Sequence, residues 1–210
     1  MQNDIIEKIL LFISFAERLK CEMRHSWLSS NRQESVAEHS WQMSLLAILL
    51  YQYLEHDVDL EKVLKMIIVH DIVEAETGDI PFFEQGLRKE NKFNSERKAI
   101  EKIKMMLSNN IGNEIYLLWY EFEANQTTEA KFVKALDQLE VQIQHNLAMF
   151  DTWQEIEYKL VYTKMDKYCY HDRCLRDLCN AVKLAAEVKM RNGGVNIAKL
   201  KTTLSNQNEI

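Results

Sequence analysis

The chain is predicted to be all-α, a single compact helical bundle, on three observations. Glycine (5) and proline (1) are scarce among 210 residues, so little interrupts a helix. Leu, Ile, Lys, Glu and Met, all good or tolerable helix formers, are abundant. Apolar residues recur near helical spacing over most of the length.

The elements follow in order. Ile5 to about Lys20 forms a first helix, with Ile6, Ile9, Leu10, Ile13 and Leu19 near helical spacing. Arg24 to Ser35 is a polar connection. A second helix runs from about Val36 to Leu54. Asp59 is placed to cap a third, from about Leu60 to Glu76, which Gly78 stops and Pro81 keeps from resuming. Further helices are expected over Lys92–Leu107, Asn113–Phe122, Thr128–Phe150, Thr152–Tyr162 and about Lys167–Lys189. Gly193-Gly194 ends the last. The division read from this pattern is a helical bundle over residues 1–190 and a polar, loosely held tail over 191–210.

The length suits one domain with a substantial core. Apolar residues at 47% and charged residues at 28% are ordinary for a globular protein, and the net charge is -6 with both signs interspersed. That balance argues against a nucleic-acid polymer as partner, because a phosphate backbone needs a basic face. The longest uncharged apolar stretch, Ser44 to Leu54, is too short to cross a bilayer. Met1 to Asp4 lacks the basic start of a signal peptide, so the cytoplasm is the expected location. Cys169, Cys174 and Cys179 lie five residues apart around a helix. Free thiols suit that spacing better than a zinc cluster, which wants close C-x2-C pairs.

Four residues carry chemistry: His39, the doublet His70-Asp71, and Asp137. Two imidazoles and two carboxylates suit a divalent ion (Mn, Co, Zn, Fe or Mg, though the imidazoles argue against a pure Mg site) with positions left for water and substrate. Each residue also has a plain structural reading. His39 can be a capping or surface histidine at a helix start, where the dipole lowers its affinity for protons. His70 and Asp71 can be hydrogen-bonded core groups following an apolar run. Asp137 lies beside an apolar stripe and needs a counter-charge, which either Lys134, one turn earlier, or a metal supplies. Glu74 shares the helix face of His70 and Asp71 and is placed to move a proton, and Asp79, after Gly78, can turn back toward the same cleft. Lys20, Arg24, His25 and Arg32 precede His39, and an arginine there suits phosphate.

In this order, His39, His70-Asp71 and Asp137 resemble the H…HD…D signature of the HD-domain metal-dependent phosphohydrolases. The strings Glu34-Ser35-Val36-Ala37-Glu38-His39-Ser40, His70-Asp71-Ile72-Val73-Glu74-Ala75-Glu76-Thr77-Gly78-Asp79-Ile80-Pro81 and Lys134-Ala135-Leu136-Asp137 are similar to the 5′-deoxynucleotidase branch, the YfbR-like proteins. The similarity spans about Phe12 to Phe150. It implies a compact helical domain holding one divalent ion on His39, His70, Asp71 and Asp137. It also implies release of phosphate from nucleoside 5′-monophosphates by a water on that ion, Glu74 and Asp79 as the acids around the water and the sugar, and Arg24 on the phosphate. Lys134 is a second expected phosphate contact. One departure is local: His25 stands where family members often carry Trp after that arginine.

The expected substrate is therefore a small nucleotide, ribo or deoxyribo, and the resemblance tilts toward a homodimer. Trp119, Tyr120, Phe122 and the Phe150–Trp153 region read equally as association patches or core. Two alternatives stand beside this reading. One is an HD enzyme for another phosphoester: a nucleoside triphosphate, cyclic nucleotide or alarmone. The other is a non-catalytic helical interaction module.

Overall fold

The computed structural model describes residues 2–107 and 109–207, and these are overwhelmingly helical. In chain order the elements are α1 (Gln2–Ala16), β1 (Met23–Trp27), β2 (Gln33–Ser35), α2 (Val36–Leu50), α3 (Leu60–Val69), α4 (Glu74–Thr77), α5 (Leu87–Glu90) and α6 (Lys92–Met106). They continue with α7 (Asn109–Ala124), α8 (Thr128–Leu147), α9 (Glu155–Thr163), α10 (Asp166–Cys169), α11 (Arg173–Asn192) and α12 (Ile197–Gln207). Short 3-10 turns cover Glu17–Lys20, Tyr51–Tyr53 and Phe150–Thr152.

The bundle is arranged around α8. It packs against α2, α3, α7 and α11 and against strand β1. Its buried residues, Ala130, Phe132, Val133, Leu136, Leu139, Glu140, Gln142, Gln144 and His145 among them, point in nearly every direction. An enclosed helix with so many polar groups is costly unless those groups find partners. That cost marks α8 as the element that carries the site. The main core is filled by Met43, Val63, Met66, Ile67, Ile100, Ile103, Trp119, Phe132 and Leu136, all essentially inaccessible. A second cluster joins Trp153, Val161, Ala186, Met190 and Ile197 where α9, α11 and α12 meet.

Several expectations need correction. The polar connection between Arg24 and Ser35 contains an antiparallel hairpin, with Met23 opposite Ser35 and Trp27 opposite Gln33. Its turn is closed by Leu28 N–H donating to the Arg32 carbonyl at 2.7 Å and by Asn31 at φ 63°, a left-handed conformation that Asn tolerates. The third helix stops at Val69. His70 keeps helical dihedrals, but the next hydrogen bonds, Ile72 N–H to Val69 O and Glu74 N–H to Asp71 O, span three residues. The doublet therefore lies in a tight turn between α3 and α4. The helix expected over Lys167–Lys189 is divided in two, because Asp172 accepts from Leu175 N–H and caps α11 afresh.

The tail also differs. Residues 197–207 form α12, seated by Ile197 and Leu200 on the second cluster and tied by Lys201 to Glu187 at 2.7 Å. Residues 208–210 of the expected tail lie outside the described residues. The aromatic groups at Trp119, Phe122 and Trp153 are core, whereas exposed apolar side chains gather on α1 and α2. Among the described residues no helix is long and apolar enough to cross a membrane, and all four cysteines are free.

Candidate metal centre and active-site cavity

His39 reaches the interior because α2 starts where it does. Ser35 and Glu38 form a reciprocal capping box: the Ser35 hydroxyl accepts from Glu38 N–H at 3.2 Å, and Glu38 accepts from Ser35 N–H at 2.8 Å. One residue further on, His39 is fully buried. Its Nδ1–H donates to Glu140 of α8, which fixes the tautomer and leaves Nε2 with a free lone pair. His70 does the same with backbone. Its Nδ1–H donates to the Ile67 carbonyl at 2.7 Å, and its ring rests edge-on against Phe122.

Both Nε2 atoms are buried without a hydrogen-bond partner. They face a common point, with the rings 5.5 Å apart. Asp137 Oδ1 lies 3.4 Å from His39 Nε2, and Asp71 Oδ2 lies 3.1 Å from His70 Nε2 and 3.9 Å from His39 Nε2. Donor atoms on one octahedral ion with bonds of roughly 2.1 Å sit about 3 Å apart along an edge. His39, His70 and Asp137 present donors all within 4.8 Å of one another, and Asp71 flanks the pair of imidazoles. Two buried, unpartnered imidazole nitrogens facing two carboxylates fit a divalent cation.

The electrostatics favour positive charge at this point. Burial and Arg24 disfavour an imidazolium at His39, yet Glu140 and Asp137 outweigh them and raise the ring to about 10. This reverses the expectation from the helix N-terminus, since two close carboxylates exceed a partial dipole charge. Burial raises Asp71 and Asp137, but the neighbouring imidazoles, helped by Arg24 at Asp71, hold both well below the usual carboxylate range. Any cation, proton or metal, is drawn to the same Nε2 atoms.

Asp71 and Asp137 line a cavity of about 240 Å³ together with Arg24, Glu74, Asp79, Lys92, Lys164 and Tyr168, among others. Arg24 is threaded between acids, with Nη1 3.4 Å from Asp71 and Nε 3.6 Å from Glu34. Glu74 is 4% exposed, its Oε2 has no partner, and Lys92 stands 4.0 Å from its Oε1. Burial, then Asp71 and Asp79, push its carboxyl well above the ordinary value. Asp79 enters the cavity through Gly78, whose φ of 74° turns the chain, and its N–H donates to Glu22 at 2.9 Å.

Lys134 does not meet Asp137. Its ammonium pairs with Glu123 at 2.9 Å and lies 3.5 Å from the centre of the Phe122 ring. Cavity-lining cations come instead from Lys89, Lys92 and Lys164. Sequence reasoning gave no role to these lysines, nor to Glu140 and Glu34. Glu140 carries a readable signal, three residues after Asp137 and so on the same face of its helix. Burial, then Glu140, push the Glu34 carboxyl up to about 8. The group Glu34, His39 and Glu140 is fully buried and lies on the Nδ1 side of His39, where it serves as the hydrogen-bonding support of the donor set.

A helical bundle that turns two imidazoles and two carboxylates toward one reachable cavity defines a class, the helical metal-dependent hydrolases. Residues 16–172 match the family model described as HD domain, and the chain belongs to the HD-domain family. The 5'-deoxynucleotidase HDDC2 of Xenopus laevis is 33% identical over 140 residues, 66% of this chain and 68% of the relative. Its Homo sapiens counterpart is 31% identical over 153 residues, 72% of this chain and 71% of the relative. Among solved structures, a predicted metal-dependent phosphohydrolase from Magnetospirillum magnetotacticum superposes with a TM-score of 0.77 at 26% identity, covering 92% of this chain and 96% of that one.

Proposed function

We propose that the protein is a metal-dependent phosphohydrolase that removes phosphate from nucleoside 5′-monophosphates, a reading supported by its likeness to relatives named 5'-deoxynucleotidase. The observation that carries this reading is the pair of unpartnered Nε2 atoms of His39 and His70 meeting Asp71 and Asp137 beside a cavity walled by Arg24, Lys92 and Lys164. Those four residues would hold one divalent ion. When bound, it polarises a phosphate oxygen and lowers the pKa of a water.

The remaining steps belong to side chains. Arg24 offers a planar fork to the phosphate, and Lys92 and Lys164 add positive charge at the cavity wall. Glu74, whose carboxyl burial and acidic neighbours push well above the ordinary value, is placed to give a proton to the departing sugar oxygen. Asp79, brought in by the Gly78 turn, accepts from a sugar hydroxyl. The free thiols suit the reducing cytoplasm, where nucleotide pools turn over.

The assembly fits a homodimer. Leu10 (65%), Leu11 (60%) and Ile13 (60%) on α1 and Trp41 (65%) and Leu49 (58%) on α2 are exposed, an apolar surface that a second copy would cover.

Phosphate release from a panel of nucleoside mono-, di- and triphosphates with Mn, Co or Mg tests the function. Turnover of monophosphates is expected, with His70→Ala and Asp137→Ala each losing at least ~100-fold of kcat/KM and the thermal shift on Mn or Co addition. Absence of turnover with every metal and nucleotide overturns the reading.

A further inference from the structure

The cavity continues beyond the donor set to an end lined by His25, His145, Glu157, Val141 and Leu160. It adjoins a recess of about 30 Å³ that shares His145, Glu157 and Leu160. No part of the chemistry above uses this end.

Its geometry is specific. Glu157 is buried, and its Oε2 accepts from Gln154 N–H at 2.6 Å in the capping box of α9. Its Oε1 is left facing two imidazoles, His25 Nε2 at 3.5 Å and His145 Nε2 at 3.7 Å. His25 Nε2 is buried and without a hydrogen-bond partner. The His25 ring stands edge-on to Phe83 with centroids 5.0 Å apart.

Arg24, His25 and Ser26 all line the cavity, although successive side chains of a regular strand point to opposite faces. The register irregularity between Met23 and Trp27 makes this arrangement available, as bulges beside active sites do. One strand therefore offers Arg24 toward the donor set and His25 toward the far end. The charges there are muted. Burial lowers His25, lowers His145 to about 4, and pushes Glu157 up to about 7.

We infer that Glu157 Oε1, with His25, accepts a hydrogen bond from an exocyclic amino group of the nucleobase, so that the enzyme favours amino-bearing bases over their carbonyl counterparts. This rests on the phosphohydrolase reading. With phosphate at the donor set, the base would lie along the same cavity, which His25 and Glu157 also line. The apolar walls, Val141 and Leu160, face the flat of the base. A site built to accept an N–H leaves its acceptor facing a carbonyl oxygen when the analogue lacks that group, and so rejects it.

Two substrate pairs exchange this amino group for a carbonyl, with a proton moved onto the adjacent ring nitrogen: dCMP against dUMP and dAMP against dIMP. Wild-type kcat/KM is expected to favour the amino member of each pair by at least ~10-fold. In Glu157→Gln the amide oxygen can keep the bond to Gln154 N–H while its NH2 faces the cavity, so the preference is expected to vanish or invert. His25→Ala reduces it without touching the cap. Equal kcat/KM within each wild-type pair, or an unchanged preference in both variants, overturns the inference.

A calorimetric titration of the metal-loaded protein with deoxycytidine and deoxyuridine separates this from the underlying reading. Tighter binding of deoxycytidine in a protein without turnover supports the amino-group site while removing the phosphatase. Equal binding of the two nucleosides removes the amino-group site even if phosphate is released.

Discussion

Glu140 decides which nitrogen of His39 is free. By taking the Nδ1 proton it commits the lone pair to Nε2, where the other donors converge. Glu140→Gln keeps the shape but removes the charge, and an amide turned the other way presents a donor to Nδ1. Metal affinity is expected to fall by ~10–100-fold, read by titrating Mn or Co into the metal-free variant. Glu74→Gln should leave that affinity intact and lower kcat by ~100–10,000-fold, because the carboxyl moves a proton and is not among the donors. Equal loss of metal and activity in Glu74→Gln would contradict this division. His39, His70, Asp71, Asp137, Glu74 and Asp79, which the structure brings to one region, could be named as candidates from the sequence because of the H…HD…D order and the helical offset of Glu74 from the doublet. Glu34, Lys92, Lys164 and Glu157 could not, and Glu140 only by its place three residues after Asp137 on the same helix face. Acids and lysines of that kind are common on helix surfaces, and only tertiary burial gives these ones a function. Lys134 shows the opposite failure: a cation one turn from Asp137 is a sound local pairing, but Glu123 on the facing α7 wins it.

At the scale of elements, the turn from α4 into the cavity depends on one glycine. Gly78 holds φ 74°, and a Cβ there would lie 2.8 Å from Arg88 Nη2 and 3.0 Å from Glu22 Oε1. Gly78→Ala is expected to lower stability by ~1–3 kcal/mol in denaturant melts and to lower kcat/KM as Asp79 is displaced. Retention of both would show that the turn does not set the position of Asp79. The helices were legible because each carries its own apolar period and many carry a readable cap, Asp59 accepting from Lys62 N–H being one. The hairpin was not, since Met23–Trp27 has no alternation of apolar and polar residues and its turn lacks an Asn-Gly or Asp-Gly pair. The break after Val69 was hidden for another reason: His70 stays helical in its dihedrals, and only the hydrogen-bond ladder shortens. In α12, polar composition masked the Ile197–Leu200 spacing that seats it.

At the scale of the molecule, α1 stands apart from the rest. Phe12, Phe15 and Ala16 at its end join the core, while Ile6, Leu10, Leu11 and Ile13 remain open. If a second copy covers them, the pair Leu10→Glu and Ile13→Glu is expected to halve the mass seen by light scattering without unfolding the bundle. An unchanged mass would place the interface elsewhere. A helix of 15 residues has little stability of its own in water. Amide protons along α1 should therefore exchange with solvent at a rate set by protein concentration, fast when copies are dilute and slow when they associate, while those of α8 stay protected at every dilution.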